Sequence, residues 1–278
     1  MKSILNQLIQ LQELNFAMEE QKASKSKMPL TQLEKSIAEI RQQLPSEVSE
    51  RYDRLQKHYP LAVIPLAHGS CSRCGLAVPT AIVNAVKAGD KLQNCPHCGR
   101  FLYFPDTIVR QPKRKQKTER PAETGIARFS DKNLMLPKLA GTTREEVIGE
   151  LAKVLGENGF IEDAAAVTEL ALRREAILGT AMEHGLAFPH VRDVEGGGLT
   201  FAVGLKARGI DFGAQDGHLS KIFFFIVIPT PATAFYLRLL AGLVRTFEST
   251  EARNTLLECD DSETMWKTLA KLTRETIL

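Results

Sequence analysis

Two close cysteine pairs, Cys71-Ser-Arg-Cys74 and Cys95-Pro-His-Cys98, constrain this chain more than any other feature. A two-residue gap lets one tight turn aim both sulfurs at a single ion, and two such turns close a tetrahedron of thiolates. Gly75 and Gly99 each follow the second cysteine of a pair, where the chain needs backbone freedom. The pattern predicts one structural Zn2+ per chain, held by Cys71, Cys74, Cys95 and Cys98. Four protein sulfurs leave no open position, so the metal fixes a fold and does not catalyse. His97 lies inside the second pair and is left out of the ligand set. Cys259 stands alone and reads as a small buried residue. Pairs of this kind fit a reducing compartment better than disulfides do, and they point to a cytoplasmic protein.

The residues before the cysteines repeat apolar side chains at three- and four-residue steps. Ile4, Leu8, Leu11, Leu14 and Met18 form one series, and Leu33, Ile37, Ile40 and Leu44 form a second after the polar break "SKSKMP". Val48, Tyr52 and Leu55 continue it beyond Pro45, where Ser46 is placed to cap a new helix. This predicts a helical hairpin or coiled coil over 1–60, short enough to need a partner: the neighbouring domain or, as a homo-oligomer, a second copy. Residues 61–108 carry the cysteines between short apolar runs and predict a β-rich C4 zinc ribbon. Residues 109–128, with "RQPKRKQKTERPAETG", predict a basic linker.

From 129 to 278 the pattern changes to a compact α/β domain. "TREEVIGELAKVLGENG" predicts a helix capped near Thr142 or Thr143 and stopped near Gly159, and "EDAAAVTELALRREAI" a second. "LTFAVGL" and "KIFFFIVI" predict buried strands, and "ATAFYLRLLAGLVRTF" and "SETMWKTLAKLTRETI" two further helices. Alternation of this kind implies an α/β sandwich with a mixed sheet, so the whole chain reads as multidomain. Charge divides along the same line. Residues 1–128 hold 20 Lys and Arg against 12 Asp and Glu, leaving 16 against 21 for the rest of the totals of 36 and 33. A basic half that can approach nucleic acid or an acidic protein is thus joined to a mildly acidic one. No apolar run is long enough for membrane insertion; "IFFFIVI" stops at "PTP".

The stretch "RREAILGTAMEHGLAFPH", 173–190, poses the functional question. Pro189 fixes its own φ and lacks an N–H, so His190 leaves it on a defined course and reads as a turn residue. A neutral imidazole there is a candidate nucleophile toward a phosphoryl donor. Arg174 is a candidate to hold the phosphoryl oxygens with its two-pronged guanidinium. The bland alternative is a core or turn histidine with no chemistry.

Two resemblances go further. "CSRCGLAVPTAIVNAVKAGDKLQNCPHCGRFLYFP" resembles the C4 zinc ribbon that follows a coiled-coil hairpin in a family of bacterial proteins. This implies RNA, RNA polymerase or a transcription factor as partner, with Arg73, Arg100 and Tyr103 as candidate contacts. The 173–190 stretch, with "VLGENGFI" and "FFFIVIP", resembles the IIA domains of the phosphotransferase system (PTS EIIA) of the fructose, mannitol and nitrogen-regulatory type. Arg174, Glu175, Thr180, Gly185, Ala187, Pro189 and His190 sit at matching steps. The resemblance implies a phosphohistidine at His190, a phosphocarrier-type role for the chain, an HPr-like phosphocarrier protein as donor, and Arg174 steadying the phosphate. Where that family usually has a second histidine, seven residues after Pro229, this chain has Tyr236, with Arg238 two further on; both are candidate site residues. Val191-Arg192 follows His190 where glycine is usual, and His184 stands where Asn is frequent. His184 and His218 read as loop residues.

Three functions remain open. One is a regulator that takes a phosphoryl group on His190 and signals through the ribbon to nucleic acid or a protein. The second is a zinc-ribbon scaffold with an inactive IIA-like domain. The third is a sugar-transport phosphotransfer component.

Overall fold

The computed structural model describes residues 2–24, 30–105, 111–112, 125–214, 216–229 and 232–277. Two compact units divide the chain: Met1–Gln21 with Lys27–Ile108, and Lys22–Ser26 with Val109–Leu278. Most of the basic linker expected over 109–128 lies outside the described residues. At its end, Gly125–Arg128 form a short 3-10 helix with Ile126 buried.

The first unit opens with α1 (Lys2–Ser24), α2 (Thr31–Gln43) and α3 (Ser46–His58). Pro45 separates the last two because the residue before a proline is driven out of the helical region. Leu44 accordingly has φ −81° and ψ 143°. Ser46 is the first helical residue and not the expected cap, since Pro45 occupies the N-cap position without a side-chain bond. Leu8 and Leu11 are fully buried, and Asn15 Nδ2 donates to the hydroxyl of buried Tyr52 at 3.3 Å. Burial also pushes the Tyr52 phenol well above its ordinary pKa.

The partner expected for these helices is the ribbon. Gln12 Oε1 accepts the backbone N–H groups of Ala62 and Val63, both at 2.8 Å, and its Nε2 donates to the Val63 carbonyl at 2.8 Å. One buried side-chain amide on α1 thereby satisfies the start of the ribbon's first strand.

The ribbon is a four-stranded sheet in the order β2-β1-β4-β3. Its strands are β1 (Val63–Ala67), β2 (Ser70–Cys71), β3 (Gln93–Asn94) and β4 (Phe101–Tyr103). A helix the sequence reading lacks, α4 (Thr80–Ala88), spans the gap between the cysteine pairs and ends at Gly89 with φ 71°. Leu61, Ile64, Leu66, Val78, Val86 and Leu102 form the core with the buried sulfurs of Cys71 and Cys95.

The second unit is built on β9 (Thr200–Ile210) and β10 (Ser220–Pro229), paired antiparallel. Phe223, Phe224, Phe225, Ile226 and Val227 are all fully buried. Side chains alternate faces along a strand, so both faces of the sheet are covered. Phe224 stacks on Phe188 with centroids 5.2 Å apart and packs against Phe201 and Phe247. Phe223, facing the other way, packs on Phe212. The full order is β5-β9-β10-β7-β6, with β8 on β10 beyond β7. Here β5 is Met135–Leu136, β6 Ala181–Met182, β7 Leu186–Ala187 and β8 His190–Val194. The sheet is mixed: β7 and β8 run parallel to β10, and β6 runs antiparallel to β7.

Helices α5 (Arg144–Glu157), α6 (Ala164–Ile177), α7 (Thr233–Phe247), α8 (Thr250–Leu257) and α9 (Ser262–Leu272) complete the sandwich. Thr143 and Glu146 form a reciprocal capping box on α5, and Asp163 caps α6. Helix α8 is an addition to the sequence reading. Cys259 is buried, its sulfur 3.5 Å from the Thr255 carbonyl.

Candidate phosphoacceptor and metal sites

The four cysteine sulfurs lie within 4.8 Å of one another. Cys71 Sγ is 3.8 Å from Cys98 Sγ, and Cys74 Sγ is 3.7 Å from Cys95 Sγ. A tetrahedron with Zn–S bonds of about 2.3 Å has edges of about 3.8 Å, so the donor set fits one zinc ion. Each knuckle is closed by a glycine. Gly75 N–H bonds to the Cys71 carbonyl and Gly99 N–H to the Cys95 carbonyl, with φ 74° and 75°. In the metal-free chain burial pushes Cys71 up to about 12 and raises Cys95. Cys98 stands at about 7, because hydrogen bonds from Arg100 and the neighbouring thiols outweigh its burial.

Of the candidate ribbon contacts, Arg100 is structural. It is buried, donates to the Leu61 carbonyl at 3.0 Å, and lies 3.6 Å over the Tyr59 ring. Arg73 and Tyr103 are half-buried.

In the second unit β7 and β8 share one edge of β10. Leu186 and Ala187 pair with Ile222 and Phe223, and His190 and Val191 with Ile226 and Val227. Phe188 and Pro189 interrupt the run between β7 and β8, although the Pro189 carbonyl still accepts the Ile226 N–H at 2.9 Å. His190 therefore begins a strand instead of sitting on a turn. Its ring is fixed at Nδ1, 3.1 Å from the Phe188 carbonyl. A carbonyl can only accept, so Nδ1 carries the proton and Nε2 holds the lone pair.

The Phe188 carbonyl is itself held in place. Phe188 N–H bonds to the Thr180 carbonyl at 3.1 Å. Thr180 gives its N–H to Glu175 Oε1 at 2.8 Å and its hydroxyl to Glu175 Oε2 at 2.6 Å. Glu175 is buried, and burial raises its carboxyl above the usual range despite these bonds and the charges of Arg144 and Arg174. The sequence motif contains Glu175 and Thr180, but their joint role as the anchor of the histidine loop comes from the fold.

Tyr236, on the first turn of α7, is buried with its ring centroid 5.3 Å from that of His190. Its hydroxyl lies 3.5 Å from His190 Nδ1. Arg174 sits near the end of α6, which packs on β8, and donates to the Leu178 carbonyl at 2.9 Å. Arg238 is on the exposed side of α7 and lines a separate groove with Phe235 and Arg245. Arg192, two residues along β8, shares the strand face of His190. His190 itself is 1% exposed.

A mixed sheet covered on both faces, with a tautomer-fixed histidine at the break between β7 and β8, defines the class: an α/β sandwich of the IIA type. A C4 metal ribbon precedes it in the chain. The chain belongs to the family described as phosphoenolpyruvate-dependent sugar phosphotransferase system, EIIA 2, whose model matches residues 128–272. A second model, the C4-type zinc ribbon domain, matches residues 70–102. The "PTS system fructose-specific EIIA component" of Haloferax volcanii is 28% identical over 149 residues, 54% of this chain and 97% of that protein. The "Nitrogen regulatory protein" of Bradyrhizobium diazoefficiens is 30% identical over 139 residues, 49% of this chain and 88% of its own length. The crystal structure of nitrogen regulatory protein IIA-Ntr from Neisseria meningitidis aligns with a TM-score of 0.48 at 23% identity, covering 52% of this chain and 98% of that one. Among the described residues no helix is long and apolar enough to cross a membrane.

Proposed function

We propose that this chain is a phosphorylation-dependent regulator in a phosphotransferase-type relay, with His190 as its phosphoacceptor. The observation that carries the reading is the contact between His190 Nδ1 and the Phe188 carbonyl. It keeps the proton on one nitrogen and the nucleophilic lone pair on the other. The Nε2 lone pair attacks the phosphorus of a phosphohistidine on an HPr-like carrier. A new N–P bond forms, the donor's N–P bond breaks, and that electron pair returns to the donor imidazole. Arg174 is the candidate cation for the oxygens. Tyr236, on the Nδ1 side of the ring, packs the imidazole and positions it. The relatives named as nitrogen regulatory proteins support a regulatory role, and the fructose-specific relatives support phosphotransfer in either setting; the zinc ribbon, which sugar transfer does not need, favours regulation.

In this reading the helical hairpin and ribbon pass the state of His190 to nucleic acid or a protein partner. Phosphate on the acidic domain would compete for the same basic residues that attract that partner.

The test is intact mass after incubation with phosphoenolpyruvate, enzyme I and HPr. A phosphoryl-sized, acid-labile gain that is absent from His190→Ala is expected. Two observations favour a second reading, a scaffold whose IIA-like domain is inert: the burial of His190, and a tyrosine where the family usually has histidine. No gain on a folded, zinc-loaded chain would overturn the relay reading for this donor and favour the scaffold.

A further inference from the structure

His184 and His218, read from the sequence as unconnected loop residues, are brought to one pocket of about 270 Å³. It is also lined by Asp216, Lys221, Arg253 and Asn254. His184 is held in the left-handed region at φ 67°, a conformation rare for a side chain of its size. Asp216 is the one carboxylate among the lining residues, and its oxygens are occupied. They take the backbone N–H of His184 at 3.4 Å and of His218 at 3.0 Å, and one lies 3.2 Å from His218 Nδ1. Glu183 stands outside the lining, 4.0 Å from His184 Nε2. The fourth wall is one face of α8, with Thr250, Arg253, Asn254 and Leu257. Arg253 is fixed there, its Nη1 donating to the Phe247 and Glu248 carbonyls and its Nη2 to Thr250 Oγ1.

The pocket therefore collects Lys221, Arg253 and two imidazoles around a small space with one committed carboxylate. A cation site fits poorly. Lys221 and Arg253 repel a metal, and among the described residues only the cysteine quartet groups tightly enough to hold one. The pocket is also distinct from the phosphoacceptor. Ile222, which lines it, pairs with Leu186, whereas Ile226 pairs with His190. Four residues of strand place them roughly 13 Å apart.

We propose that this pocket is an oxyanion site that takes inorganic phosphate or the phosphate head of a small phosphomonoester. Its volume, at the lower end for small-molecule sites, admits a ligand of only a few heavy atoms. The site is independent of the chemistry assigned to His190.

Calorimetric titration of the zinc-loaded full chain with inorganic phosphate and, separately, glycerol 3-phosphate tests this. Saturable one-to-one binding is expected, weakened roughly tenfold or more by Lys221→Gln and by His218→Gln. His190→Ala, and Lys271→Gln on α9 outside the pocket, are expected to leave it unchanged. Tighter binding of glycerol 3-phosphate identifies an ester as the occupant, and equal binding identifies the head group alone. Absence of saturable binding overturns the proposal, as does equal weakening by Lys271→Gln, which would mark a general effect of charge.

Discussion

His190 is positioned by a relay that begins at a buried carboxylate. Glu175 holds Thr180, Thr180 holds Phe188, and the Phe188 carbonyl holds the imidazole. Glu175→Ala should strand the Thr180 N–H and cost about 1–3 kcal/mol, measured by denaturant unfolding, together with slower phosphorylation of His190. The pH dependence has a definite sign. Burial raises the folded-state pKa of Glu175, so the folded chain binds that proton more tightly than the unfolded chain. Its contribution to stability is complete below the unfolded value of about 4.3 and is lost as pH rises through the folded value. Glu175→Gln should flatten this part of the pH–stability curve; an unchanged slope would show that another group sets it. Tyr236→Phe keeps the ring beside His190 and removes only a hydroxyl 3.5 Å away. The expected loss is under about 1 kcal/mol, with phosphorylation retained in the mass assay. The candidates Arg174, Glu175, Thr180 and His190 were nameable from the sequence because they fall in the 173–190 motif. The tautomer was not, since it depends on the direction of one carbonyl that no spacing reveals.

At the level of elements, long periodic segments were readable and short ones were not. Helices α5 and α6 and strands β9 and β10 follow their patterns, and Thr143 caps α5 as its sequence implies. Thr143→Ala should cost about 1 kcal/mol in thermal or chemical unfolding. Strands β5, β6 and β7 have two residues each, too few to show any alternation, and their pairing is dictated by β9 and β10. The eight-residue α8 and nine-residue α4 are likewise below the length at which helical periodicity stands out. The sequence left the partner of the N-terminal helices open between the neighbouring domain and a second copy. Gln12 carries no apolar signal, yet it makes three backbone bonds at the start of β1. Gln12→Ala should destabilise the first unit by about 1–3 kcal/mol, read as an earlier loss of helical signal on heating.

Across the whole molecule, the two compact units rest on different physics. The second has an aromatic core around Phe223 and Phe224. Within the first, the core of the ribbon sets the sulfurs of Cys71 and Cys95 among a few aliphatic side chains. Such a core is too small to replace metal binding. Chelation of zinc, or Cys95→Ser, should unfold the ribbon and loosen the helices while the second unit keeps its own transition. Calorimetry of apo and zinc-loaded chains distinguishes this from a single cooperative loss. The division of labour was visible in the sequence, because cysteine pairs and β-strand patterns occupy separate stretches.

The Gln12 bridge extends the reach of the metal. Losing zinc frees β1, and freeing β1 removes the three hydrogen bonds that seat α1. On the function proposed, a zinc-starved cell would hold a chain that can still be charged at His190 but has lost the part that reports the charge. On that reading the output would require two conditions at once, metal sufficiency and a particular state of the phosphorelay, and the chain would report their coincidence.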